Sequence, residues 1–344
     1  MAFMAAIALP ITVWQGSNIP AVHAAVELRP NSQVKTAITN PQLLHTLLGH
    51  RGSVKSLAFS PNSKLLVSGG GNNDGIIQLW NPVTGQRSGQ IKKAHKTGVQ
   101  SLAISPDGQT LISCSNDNRI NLWNLKNNRF RRSFVGHSSN VMSLAVSPDS
   151  RVLVSGALDG IRTWDLLQQR PLSTLVRFDN SIYTLAMSSD GQTLASGDNK
   201  GVVKLWNLKT GELIREFTAH SQIVTTLAFT PDGSNVVTAS RDRTIKIWSL
   251  NSSEPVRTLT GHNNWVNAIA INPDGRTLAS AGRDGVKMWN LTTGELQNTL
   301  VGTSDWVSAI AFSPDGQTLA SGSFDGKVTI WAMPTAASYA PSSN

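Results

Sequence analysis

The chain has 344 residues, 40% hydrophobic and 15% charged, enough apolar material for one large or two ordinary cores. Its single cysteine, Cys114, excludes an internal disulfide and any zinc site built from several thiolates. The formal net charge of +9 is local: from Leu43 to Val135 twelve Lys and Arg stand against three Asp, and the rest of the chain is balanced.

In chain order, residues 1–24 form an apolar leader. Ala2 to Trp14 is about thirteen residues long, short for a bilayer span, and Val22-His23-Ala24-Ala25 offers a small-residue cleavage pattern after Ala24. The leader reads as a signal peptide, which favours an exported or periplasmic location over a cytoplasmic one, although no Lys or Arg precedes Arg29. Residues 25–41 read as a linker, 42–333 as the folded domain and 334–344 as a disordered Ala/Ser/Pro tail.

The folded domain opens with Leu43-Leu44-His45-Thr46-Leu47-Leu48, an apolar run that reads as an outer strand without a sheet of its own. A repeat follows. Tryptophan recurs at Trp80, Trp123, Trp164, Trp206, Trp248, Trp289 and Trp331, at spacings of 43, 41, 42, 42, 41 and 42. Ahead of each lies a tight turn such as Ser105-Pro106-Asp107-Gly108, in which Pro presets φ and Gly or Asn supplies a positive φ. Short apolar runs flank the turns, as in Ala268-Ile269-Ala270-Ile271 before and Thr277-Leu278-Ala279-Ser280 after. A third strand carries the tryptophan, as in Val203-Lys204-Leu205-Trp206, and a more polar fourth follows, as in Glu212-Leu213-Ile214-Arg215. Each repeat therefore reads as a four-stranded sheet, and the lack of long helical periodicity argues against a βαβ arrangement. Cys114, in the apolar run Leu111-Ile112-Ser113-Cys114-Ser115, reads as a buried, inert thiol.

From Gln42 to Met333 the chain resembles the WD40 repeat family. Gly49-His50, Ala94-His95, Gly136-His137, Ala219-His220 and Gly261-His262 match that family's opening dipeptide, and the periodic tryptophans match its closing one. Asp follows Trp only at Trp164-Asp165; Asn, Ser or Ala stands elsewhere, and Asn and Ser can make the same local turn bond. The resemblance implies an all-β, seven-bladed β-propeller of four-stranded antiparallel blades, a rigid monomeric ring that presents loops at fixed spacing. The last repeat stops at Trp331 with three strands, so Leu43 to Leu48 is expected to join that blade and close the ring.

The family pattern further implies structural hydrogen-bond sets within blades: His50, Ser68, Asp74 and Trp80; His95, Ser113, Asp117 and Trp123; His220, Thr238, Asp242 and Trp248. Their recurrence argues for buried polar satisfaction rather than a nucleophilic triad. Repeat four departs, with Phe178-Asp179 for Gly-His and Lys200 for the turn Asp, and repeat seven has Gly302-Thr303. These blades are expected to be locally less stable. Repeats three and six are one residue shorter at Leu158-Asp159-Gly160 and Arg283-Asp284-Gly285, which requires tighter turns. No phosphate-cradling Gly-Lys-Ser/Thr loop and no His-Glu-x-x-His pattern occurs, so no catalytic residue, cofactor or metal ligand is assigned and the chain reads as a non-enzyme.

Trp265 and Trp306 occupy one slot of adjacent repeats and are surplus to the repeat, because the earlier repeats carry Ser53, Gly98, Asn140, Ser181 and Ile223 there. In the resembled family that slot, the residue two further on and the residue before the turn Asp face the top of the propeller. This implicates Trp265, Asn267 and Arg283 in blade six and Trp306, Ser308 and Phe324 in blade seven, extended by Tyr183 and Arg241. The expected partner is a protein or peptide on this face around blades five to seven. Carbohydrate or cell-wall stacking on the tryptophans is an alternative. So is an anionic surface or nucleic acid on the basic first blades, disfavoured because Lys92-Lys93 and Arg131-Arg132 are expected on outer strands without interleaved aromatics.

Overall fold

Apolar and polar residues alternating within each repeat build short strands, and the turns fold these back into antiparallel sheets. In blade three, Val141–Val146, Val152–Ala157, Gly160–Asp165 and Arg170–Arg177 pair in sequence order. The computed structural model describes residues 40–71, 74–177, 181–300 and 306–334, all within the unit Ala37–Asn344. Seven such four-stranded sheets are present. The leader at 1–24, nearly all of the linker, the tail beyond 334, and Phe178-Asp179 and Gly302-Thr303 lie outside the described residues. Among the described residues no helix is long and apolar enough to cross a membrane.

The sheets stand in a ring. The inner strand of each blade packs on the next, from Val54–Phe59 through Val99–Ile104, Val141–Val146, Ile182–Met187, Val224–Phe229, Val266–Ile271 and Val307–Phe312 back to Val54–Phe59. Closure takes the expected form: Gln42–Leu48 pairs antiparallel with Lys327–Ala332 and completes the seventh sheet. An exposed, unpaired edge within the seventh blade is thereby removed.

The hydrophobic core lies between blades. One cluster joins Ile112, Leu122 and Phe134 of blade two to Val141, Leu153 and Trp164 of blade three, and the equivalent cluster recurs at every blade junction. A sheet buried on both faces needs small residues where the next inner strand approaches. At Gly197 a Cβ would lie 2.6 Å from a methyl of Val224 in blade five. Cys114 occupies the corresponding small-residue slot in blade two, fully buried, with burial pushing its thiol pKa up.

Blades three and six tighten as their length demands. Ala157 pairs with Gly160 and Gly282 with Gly285, leaving the two-residue turns Leu158-Asp159 and Arg283-Asp284. Gly160 and Gly285, at φ 121° and 91°, supply the backbone conformation that a side chain would resist.

Candidate partner-binding face

In blade one, His50 Nδ1 lies 2.7 Å from an Asp74 carboxylate oxygen, His50 Nε2 lies 2.7 Å from Ser68 Oγ, and Trp80 Nε1 donates to that same Oγ at 2.8 Å. His95, Ser113, Asp117 and Trp123 repeat the set, as do His220, Thr238, Asp242 and Trp248. Two more sets complete the series: His137, Ser155, Asp159 and Trp164 in blade three, and His262, Ser280, Asp284 and Trp289 in blade six.

One proton arrangement pairs the histidine, hydroxyl and indole of each set: Nδ1–H donates to the carboxylate, the hydroxyl donates to Nε2, and the hydroxyl oxygen accepts from the indole, while Asp74 Oδ1 is buried without a partner among the described residues. This arrangement requires a neutral imidazole. Burial lowers the pKa of His50, His137 and His262 below the ordinary histidine value, despite the raising effect of their aspartates. For Asp117, Asp159, Asp242 and Asp284 burial acts upward, but donors from the histidine and nearby backbone outweigh it and hold the carboxyls below their ordinary range. The connectivity is that of a nucleophilic triad, yet Ser68, Ser113, Ser155, Thr238 and Ser280 have 0% exposed surface and cannot meet a substrate. They hold the second and third strands to the loop that enters each blade.

Blade four keeps Trp206 Nε1 donating to Ser196 Oγ at 3.0 Å. Where Lys200 replaces the turn Asp, Asp198 takes over the turn, accepting from the Lys200 and Val202 amides at 2.8 and 2.9 Å.

Every inner strand begins with a register shift, between Val54/Ser56, Val99/Ser101, Val141/Ser143, Ile182/Thr184, Val224/Thr226, Val266/Ala268 and Val307/Ala309. The bulged residue is left without a ladder partner and its side chain is re-aimed. It is Lys55, Gln100, Met142, Tyr183, Thr225, Asn267 or Ser308, according to the blade. In three consecutive blades this side chain staples the next one: Thr225 Oγ1 donates to Val266 O at 2.6 Å, Asn267 Nδ2 to Val307 O at 2.9 Å, and Ser308 Oγ to Val54 O at 2.6 Å. Asn267 and Ser308 thus direct their polar groups between blades rather than toward a partner.

The start of each inner strand and the turn between the second and third strands fall at the same end of an antiparallel blade, here called the top. There the surplus aromatics meet. Trp265 and Trp306 stand edge to face with centroids 6.2 Å apart, and Trp306 lies 4.8 Å from Phe324. Arg241 sits 4.7 Å from the Trp265 centroid, Arg283 5.6 Å from that of Trp306, and Lys55 4.1 Å from that of Phe324. Each of these cations meets an aromatic ring of an adjacent blade. Trp265 is 38% and Phe324 36% exposed, an apolar surface facing solvent. Trp306 holds φ at 65°, a left-handed conformation unusual for a bulky residue.

The structure therefore brings together Trp265, Trp306, Phe324, Arg241 and Arg283 among the residues singled out by sequence. Tyr183, half-buried in the bulge of blade four, has no ring or cation contact to this cluster among the described residues. Lys55 was missed. Its signal was available, because it occupies the slot of Tyr183, Asn267 and Ser308, and ring closure makes blade one the neighbour of blade seven.

Arg131 and Arg132 are exposed on the outer strand Arg129–Val135 as expected, whereas Lys92 and Lys93, also exposed, lie in the turn after the outer strand Arg87–Ile91 and not on it. The expectation that aromatics are missing there is corrected by Phe130, which lies exposed between Arg129 and Arg131, its ring edge-on to Trp123 at 5.4 Å. Phe130 falls beside a register shift that leaves Arg131 outside the ladder.

These blades, their sets and their closure define a seven-bladed propeller of WD-repeat type. The chain belongs to the WD40 repeat family: the model for "WD domain, G-beta repeat" matches residues 41–81, 253–290 and 294–332, and that for "IFT122 first beta-propeller" matches residues 71–232. Propellers of this family are typically protein-interaction scaffolds. Proteins named small ribosomal subunit protein RACK1 from Glycine max and Medicago sativa are each 46% identical over 50 residues, 14% of this chain. The chain spans only 15% of the length of those relatives in the match, about one repeat.

Proposed function

We propose that this chain is a non-catalytic interaction scaffold that binds a protein or peptide on the top face around blades five to seven. The observation that carries this reading is the contiguous cluster of Trp265, Trp306 and Phe324 with Arg241 and Arg283, where the repeat requires no aromatic side chain. Exposed Trp flanked by Arg is the composition of an interface hot spot. A rigid ring holds these groups at fixed spacing, so a partner can bind without a large ordering cost in the scaffold.

The test is affinity capture from the native host with the full chain and with the Trp265→Ala/Trp306→Ala double variant. A partner retained by the wild type and lost from the variant, while the variant still melts in one cooperative transition, supports the top-face platform. Equal capture by both moves the site elsewhere.

The exposed Phe130 among Arg129, Arg131 and Arg132 favours one second reading, contact of the blade-two rim with an anionic surface or nucleic acid. Such binding weakens steeply with salt, and Phe130→Ala would weaken it further.

A further inference from the structure

Lys55, Arg241 and Arg283 belong to different blades, and all three cations lean on the same aromatic cluster. Among the described residues no carboxylate pairs with any of them. Among the described residues, the acids beside Arg241, Arg283 and Phe324 are committed: Asp242 to His220, Asp284 to His262 and Lys287, Asp325 to Lys327. Burial, and then the charge of Arg241, pull the Lys55 ammonium below its ordinary pKa. Ring quadrupoles hold each cation in place without cancelling its charge. What remains is a positive socket walled by exposed indole and phenyl surface.

The turns at the opposite end of the blades carry both signs, with exposed Lys64, Arg151 and Arg276 beside a series of aspartates. Asp107, Asp149, Asp190, Asp232, Asp274 and Asp315 occupy the turns after the inner strands. In Asp149, Asp190 and Asp232 the turn hydroxyl, from Ser147, Ser188 or Thr230, holds the carboxyl below its ordinary pKa and so keeps it ionised.

We infer that the top face takes an acidic peptide, with one anionic side chain seated among Lys55, Arg241 and Arg283 and a neighbouring apolar side chain resting on Trp265 and Phe324. This rests on the platform reading above and adds the chemistry of the occupant. The seated group is an oxyanion, either an Asp or Glu carboxylate or the phosphate of a modified Ser or Thr, since guanidinium pairs with both in the same two-pronged geometry.

The test selects peptides from a random seven-residue display library on the full chain. The selected sequences are then synthesised with Glu, Gln or phosphoserine at the acidic position and measured against three proteins: wild type, the Lys55→Met/Arg241→Gln/Arg283→Gln variant, and the Trp265→Ala/Trp306→Ala variant. The single Arg283→Gln variant, at an exposed position, serves as a control for folding. The expected result is enrichment of Asp and Glu, about tenfold weaker binding of the Gln peptide, and the same loss on removing the cations. A phosphoserine peptide binding about tenfold more tightly than Glu assigns the seat to phosphate, and equal or weaker binding assigns it to carboxylate. Peptides that depend on the tryptophans but show no acidic preference and no loss in the cation variants overturn this inference and leave the platform reading standing. Selected peptides indifferent to the tryptophans, or a library yielding none, overturn both.

Discussion

Leu47 pairs with Val328 across the seam of the ring, and its side chain is buried with Val54, Trp80 and Ile330 of the first and last blades. The seam is therefore an ordinary blade junction made from opposite ends of the folded domain. Leu47→Ala is expected to destabilise the propeller by about 2–5 kcal/mol, the usual cost of truncating a packed leucine. Removing residues 1–49 leaves Lys327–Ala332 as an open edge. Calorimetry of that variant should lose the single cooperative transition; one sharp transition at the wild-type temperature would show that closure contributes nothing.

The buried hydroxyls give a sharper local test. In Ser155→Ala, His137 Nε2 and Trp164 Nε1 both lose their partner in a site closed to water. Each orphaned group costs about 1–3 kcal/mol, so the variant should fall well below Trp164→Phe, which leaves the serine and histidine paired. Urea denaturation measures both. Equal midpoints would mean that water reaches the site.

Acid should weaken the fold in two windows. The folded pKa values of His50, His137 and His262 lie below 6.5, so the unfolded chain binds more protons as pH drops past that value. Their contribution is complete above about 6.5 and lost progressively below it. Asp117, Asp159, Asp242 and Asp284 lie below 3.8 when folded, so their contribution is present above that value and lost beneath it. Urea midpoints should be level at alkaline pH, decline on acidification through the histidine window and decline further below the aspartate one. A midpoint that rose between pH about 7 and 5 would contradict the neutral-imidazole arrangement.

Much of this architecture was legible because it repeats. The tryptophan period, the turns and the leftover strand at Leu43 to Leu48 specify blade number, strand order and closure, since each feature answers a local backbone or burial demand. The sets in blades three and six were equally readable, with His137 and His262 at the same offsets from their partners. Side-chain direction at the top was not. Asn267 and Lys55 share one sequence slot, but the bulge that re-aims them belongs to strand register, and whether each meets a neighbouring carbonyl or an aromatic ring depends on the next blade. Turn chemistry also exceeded the pattern: Ser63 and Ser150, at φ 59° and 62°, stand where the other blades have Gly, and their hydroxyls accept from Asp315 and Asp107 of neighbouring turns.

Trp306 offers the clearest separation of stability from binding. Its φ of 65° places a bulky side chain in a region that glycine occupies freely. Such strain costs about 1–3 kcal/mol, while its ring contacts with Trp265 and Phe324 return about 0.5–1.5 kcal/mol each. The two nearly offset. Trp306→Gly is therefore expected to unfold within about 1 kcal/mol of wild type while losing the bound partner. Trp265→Ala, at a position without that strain, should lose partner binding and a small amount of stability together. Chemical denaturation beside a binding measurement on each variant decides the matter: a Trp306→Gly protein that binds normally would make the strained tryptophan a mere cover for the blade tops, and one that is severely destabilised would make it part of the fold.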